Sequence, residues 1–384
     1  MIRTVDLAAH ATSERDDSAT RFLRQCARIE LDREECARLV EAASSVRDWH
    51  ATILSAEDHG LVPLVWHHAR AYGIPVPEPE RKRLGGLVIR HRDISRVQTE
   101  VLCEIVEALD RAGIEHLVLK GAALAHLIYP SPELRPMRDL DLLVAPHDAR
   151  QAQTLLRDLG FDAPLDARHR VQRFHHHLPL ATCRRAGLQI NVEIHRDALS
   201  GDQFGTLALP SLAERPREVV VERRRLRTFG HLDMLRHLRS HTFEPATRTR
   251  LIAVADLVGY AARYRDEIDW EAMARRDPTV VNALTLLHYV TPLPASLGHF
   301  RPPARTTPPP GVGQGIAPLA AAAGRADARS LVGELLYPSE WWMRAYYGVP
   351  LHRSLAPVRW GRHLGRLVWW GVRRAFSLLL GGAA

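Results

Sequence analysis

Apolar residues recur at helical spacing from about Ser18 to Val101, with Gly60 and Gly73 as stops. QTEVLCEIVEALDRAG (98–113) continues this as an amphipathic helix ended by Gly113. The period then changes. IEHLVLKG (114–121) reads as a short apolar strand, and AALAHLIYP (122–130) as a helix stopped by Pro130. RDLDLLV (138–144) follows as a second strand, and a helix runs from Pro146 to Gly160. LQINVEIH (188–195) alternates strictly, with Ile190, Val192 and Ile194 on one face and Asn191, Glu193 and His195 on the other. REVVVERRRLRTFG (217–230) predicts two short strands joined by a tight turn, after which helical periodicity returns.

This order predicts an α+β fold, a mixed sheet of about 130 residues set between helical regions. The expected units are an N-terminal helical domain (1–97), the sheet core (98–230), a helical domain (231–300), a Pro-rich linker (301–318) and a helical tail (319–384). No internal repeat is visible.

The chain has 384 residues, 46% of them apolar and 25% charged, enough for two or three packed units. Its net charge of +8 permits an anionic ligand without requiring one. The basic residues are nearly all arginine; the two lysines are Lys82 and Lys120. Cys26, Cys36, Cys103 and Cys183 are far apart, which argues against a zinc or disulfide framework and for reduced thiols. The polar N-terminus and the absence of a long apolar run lead to the expectation of a cytoplasmic protein. The sequence contains no RNA-recognition, helix-turn-helix or zinc-finger signature, which disfavours nucleic acid as a partner.

Candidate chemistry concentrates on the two acidic strands. Asp139 and Asp141, two residues apart, project from one strand face, and such a pair repels unless a cation sits between its members. Glu193, on the polar face of LQINVEIH, supplies a third carboxylate. An all-oxygen set of this kind suits Mg²⁺ shared with substrate phosphates, the arrangement of a metal-assisted phosphoryl-transfer site. A lone Asp-x-Asp is more often a solvated strand end; the matched phase of three acids is what lifts this one. Lys120-Gly121 closes the first strand and opens a helix, where free N–H groups and a point charge favour a triphosphate, although glycine at such turns often serves geometry alone. Arg135 and Arg138 flank the acidic pair and either clamp phosphate oxygens or neutralise the carboxylates. His195 shares the face of Glu193, to orient a carboxylate, contact substrate or make a structural hydrogen bond. His175, His176 and His177 are consecutive and cannot all ligate one metal from an extended segment. His241 and Asp256 are read as a cap or pairing with each other or the core.

The C-terminal segment alternates Trp360, Trp369, Trp370 and Phe376 with five arginines. Such a helix can lie on an anionic membrane surface or hold a partner, and more often packs on its own protein.

Taken together, RDWHATILSAEDHGLVPLV, GIEHLVLKGAALAHLIYPSPELRPMRDLDLLV, LQINVEIH and the later helices resemble the bacterial uncharacterised nucleotidyltransferase family, within the DNA polymerase β-like superfamily, over about residues 20–290. The resemblance implies a nucleotidyltransferase-type mixed sheet, with Asp139, Asp141 and Glu193 as catalytic and metal-binding carboxylates. It also implies Lys120, Gly121 and Arg135 at or near the nucleotide. Two positions depart from the pattern: Gly121 is followed by Ala122 rather than serine, and Arg138 precedes Asp139 where the family tends to carry a small residue. The expected activity is Mg²⁺-dependent transfer of a nucleoside monophosphate from an NTP to an unidentified acceptor. The alternative is a nucleotide-binding or scaffolding module that keeps the fold without turnover.

Overall fold

The structure, a computed structural model, describes residues 17–165, 176–199, 205–243, 249–313 and 336–369. His175, Trp370, Arg373, Arg374 and Phe376 lie outside the described residues.

Four short helices lead in: α1 (Asp17–Cys26), α2 (Arg33–Ser44), α3 (Trp49–His59) and α4 (Val62–Ala71). Their ends follow local chemistry. Asp32 caps α2 and, with Glu35, completes a reciprocal capping box, while Gly60 ends α3 in the left-handed conformation at φ 72°. A 34-residue helix, α5 (Glu78–Arg111), then passes unbroken through residues 97 and 98, where two units were expected to meet.

After α5 come β1 (His116–Val118), α6 (Lys120–Leu127), a 3₁₀ turn (Pro132–Leu134), β2 (Leu140–Val144) and α7 (Ala149–Asp158). The hairpin β3 (Ala181–Arg185) and β4 (Leu188–His195) follows, turning at Ala186 and Gly187, both left-handed. The sheet order is β1-β2-β4-β3, with β2 and β4 parallel and the outer pairs antiparallel, so the sheet is mixed as expected. A separate hairpin, β5 (Arg217–Val221) and β6 (Arg224–Thr228), lies against β1, where the Thr228 hydroxyl donates to the Val118 carbonyl at 2.7 Å. The remaining helices are α8 (His231–Thr242), α9 (Leu251–Arg263), α10 (Trp270–Arg276), α11 (Pro278–Leu287) and α12 (Glu340–Tyr347), then a helical stretch over 356–369, α13.

Two apolar cores result. One gathers α5 from Val97 onward, α7, the sheet and the β5–β6 hairpin, with Leu140, Leu142, Ile190, Val192 and Ile194 at its centre. The other joins the N-terminal helices to α8–α12, regions that the sheet separates in sequence. Trp341 and Trp342 on α12 are buried in this second core, so this stretch of the expected tail belongs to the body. The described cysteines are free thiols.

A buried histidine in the helical core carries a pH prediction. His68 bonds through Nε2 to the Arg28 carbonyl at 2.9 Å, and burial pushes its pKa down to about 4. Below pH 6.5 the unfolded chain protonates this ring while the fold resists down to about 4, so the unfolded state binds more protons in that window. Stability should therefore fall as pH drops from 6.5 to 4, by on the order of 3 kcal/mol from this group. Urea denaturation across the range checks it, and His68→Asn should flatten the slope.

Candidate active site

β2 is buried along its whole length, and within its apolar run LDLLV sits one acid, Asp141. Register brings the chemistry together: Asp141 pairs with Glu193 and Leu143 with His195 across the parallel β2–β4 ladder. The expected alternation on β4 holds, with Ile190, Val192 and Ile194 fully buried and Glu193 at the edge of solvent. The His195 Nε2 lies 2.7 Å from Asp141 Oδ1 and 3.3 Å from Glu193 Oε2. From the opposite side the Lys120 Nζ donates to the same Asp141 oxygen at 2.7 Å.

Lys120 reaches this position through an uncommon backbone. It begins α6 with φ +44°, a left-handed conformation that costs a non-glycine residue on the order of 1–3 kcal/mol and is retained mostly where the surroundings fix it. The same turn shortens β1, which ends at Val118 rather than running to Lys120, and the Leu119 N–H bonds the Asp141 carbonyl at 2.9 Å.

Charges alternate through the cluster. Burial works against the ionised form of Asp141, yet Lys120 and His195 outweigh it and hold the carboxyl well below its usual range. Lys120 and His195 are each penalised by burial and nonetheless held above their ordinary values by the same acids. Asp139, just before β2, is pushed up to about 6, first by the Asp141 charge and then by burial.

Among the described residues, Asp141, Glu193 and His195 offer ligand atoms within 4.8 Å of one another. Two carboxylate oxygens and an imidazole nitrogen, with Asp139 raised by excess negative charge nearby, form a donor set that fits a hard divalent cation. Asp139, just before the first paired residue Leu140, stands outside that group of three. His195 enters it instead, through the Nε2 that now bridges the two acids. His176 and His177 also come down beside it, their ring centroids 5.3 and 5.4 Å from that of His195. Nothing in the run of three histidines reveals this, because an isolated bridge pairing His177 with His195 is what brings it about.

Arg135 is buried among protein groups. Its Nε and Nη2 donate to Asp256 on α9, with 2.7 Å for the shortest contact, and its Nη1 donates to the Pro136 carbonyl. The Tyr129 hydroxyl donates to the same Asp256 carboxylate at 2.7 Å. Asp256 thus pairs with Arg135 rather than His241. Arg138 is exposed, and its carbonyl accepts from the Asn191 amide at 3.1 Å, which ties the loop before β2 to β4.

Gly121 has a packing reason of its own. A Cβ there would lie 2.7 Å from Arg135 Nη1 and 2.9 Å from Met137 Cγ. Since the guanidinium is pinned by Asp256, Gly121→Ala should cost about 1–3 kcal/mol by overpacking, measured as a lowered denaturation midpoint.

The family model described as "uncharacterised nucleotidyltransferase" matches residues 45–297, about two thirds of the chain, and the chain belongs to that family. A solved structure, an antigenic nucleotidyltransferase-like protein from Paracoccidioides brasiliensis, is similar at 16% identity and a TM-score of 0.31, over 53% of this chain and 98% of that one. No curated protein matches.

Proposed function

We propose that the protein transfers a nucleoside monophosphate from an NTP to a hydroxyl or similar acceptor, with Mg²⁺ as cofactor and pyrophosphate released. The bond formed joins the acceptor oxygen to the α-phosphorus, and the bond broken is the bridge to the β-phosphate. The observation that carries this reading is the register of Asp141 opposite Glu193, with Lys120 bonded to Asp141 from the other side. Asp141, Glu193 and His195 would hold the metal, which when bound supplies charge stabilisation for the transferring phosphoryl group. His195 would serve as a neutral ligand through Nε2, and while protonated it offsets the repulsion between the two carboxylates. Asp139, with a pKa near 6, is ionised at neutral pH and suited to accept the acceptor's proton. Lys120 offers the mobile point charge that phosphate oxygens require. Arg138, exposed on the rim, is free to turn towards a phosphate.

The test is incubation with each labelled NTP, Mg²⁺ and a panel of hydroxyl acceptors, comparing wild type with Asp139→Ala/Asp141→Ala. Mg²⁺-dependent label transfer lost in the double variant is the expected result. Identical behaviour of the two proteins with every nucleotide would end the proposal. A second reading, nucleotide binding without turnover, is favoured by one observation: Asp141 is already neutralised by Lys120 and His195. Calorimetry that finds tight Mg·NTP binding with no pyrophosphate release would select it.

A further inference from the structure

From Trp341 to Ala384 the sequence holds seven arginines and no aspartate or glutamate. The rest of the chain carries 45 basic against 44 acidic side chains, so almost all of the +8 net charge is gathered in this one segment. Its two described helices use their residues differently. α12 is buried in the helical core, and its Arg344 is spent on Glu340 and on the carbonyls of Pro350 and Arg353.

α13 is oriented against the usual rule. The side facing the body is polar: His363 is buried against the Tyr347 hydroxyl at 2.8 Å, and the guanidinium groups of Arg362 and Arg366 lie 5.4 and 4.8 Å from the ring centres of Tyr347 and Tyr346. The side facing water carries Trp360, Val368 and Trp369, which are 57%, 67% and 45% exposed. Trp360, Leu364 and Val368 recur at four-residue spacing, as do Gly361, Gly365 and Trp369, so the outward stripe is uncharged. Tyr337, 57% exposed, stacks edge-on against Trp360 and widens the patch. A helix on a globular protein normally turns its polar face to solvent; this one shows two indoles there.

We propose that α13 lies on an anionic lipid surface, with Trp360, Val368 and Trp369 in the interfacial layer and Arg353 and Arg359 reaching phosphate headgroups. Indole rings favour the boundary between headgroup and hydrocarbon, and arginine stems can cover apolar surface while the guanidinium stays in water. Among the described residues no helix is long and apolar enough to cross a bilayer, so the contact is peripheral. Charge selects this occupant over a second copy of the chain, because pairing two such faces would set one arginine-rich segment against another.

The inference stands apart from the catalytic reading and is tested on the full chain with vesicles. Phosphatidylcholine vesicles are compared with vesicles in which a quarter of the lipid is phosphatidylglycerol, by co-sedimentation. The anionic vesicles should bind about tenfold more tightly or better, with the difference shrinking as NaCl rises. Trp360→Ala/Trp369→Ala should weaken that binding by about tenfold or more while lowering the melting temperature only slightly, since the two side chains are 57% and 45% exposed. Equal binding to both vesicles, no binding to either, or undiminished binding of the double variant overturns the proposal. So does a dimer, or retention on RNA, that the double variant abolishes in a protein that ignores vesicles.

Discussion

Asp141→Asn is expected to lower nucleotidyl transfer by at least about 10³-fold, the scale seen when a charge-stabilising contact to a transferring group is removed. The amide keeps the shape of the side chain and removes its charge. It is a poor ligand for a hard cation, and it leaves Lys120 and His195, both bonded to Oδ1 at 2.7 Å, without their shared anion. His195 is fully enclosed and would become neutral, while Lys120 keeps a 16% exposed side chain, so the loss of stability should be smaller than the loss of activity. Pyrophosphate release and thermal denaturation measured on one preparation separate the two effects. Activity within tenfold of wild type would remove Asp141 from the metal site and with it the proposed reaction.

Asp256→Ala is expected to cost about 3–5 kcal/mol of folding stability, because it strands a buried guanidinium. Arg135 and Asp256 are both enclosed, 121 residues apart in sequence, and the Tyr129 hydroxyl completes their contact. Urea denaturation of Asp256→Ala against wild type measures the cost. Replacing both partners, as in Arg135→Met/Asp256→Leu, should recover most of it, since a packed apolar pair avoids two desolvation penalties. If the double replacement also keeps the nucleotide affinity of wild type, Arg135 acts as a clamp between α9 and the loop before β2, and its effect on the nucleotide is indirect.

The acidic strands were legible because both signals are local. RDLDLLV and LQINVEIH declare their faces through period two, and the parallel pairing of β2 with β4 set Asp141 opposite Glu193 as that phase required. What the sequence did not show is contacts made across long separations. Arg135 reads as a phosphate ligand because it lies three residues before an acidic strand, and nothing in its neighbourhood names Asp256 as its partner. Gly121 reads as a phosphate turn, while its closest constraint is the guanidinium lying against it. Within the tail, α12 is buried and α13 turns its indoles outward, a division that depends on which residues meet Tyr346 and Tyr347.

The long helix α5 spans about 51 Å at 1.5 Å per residue, and it belongs to both cores. Leu84 is embedded among the N-terminal helices, while Val97, Leu102, Ile105 and Leu109 lie in the sheet core. Its glycine pair, Gly85 and Gly86, falls near the first end, so the rod from Leu87 to Arg111 contains no residue that readily kinks. The helix therefore acts as a common keel: a fragment severed at residue 97 would lose the joint that ties the acidic strands to the helical body, and the two should melt as one cooperative unit.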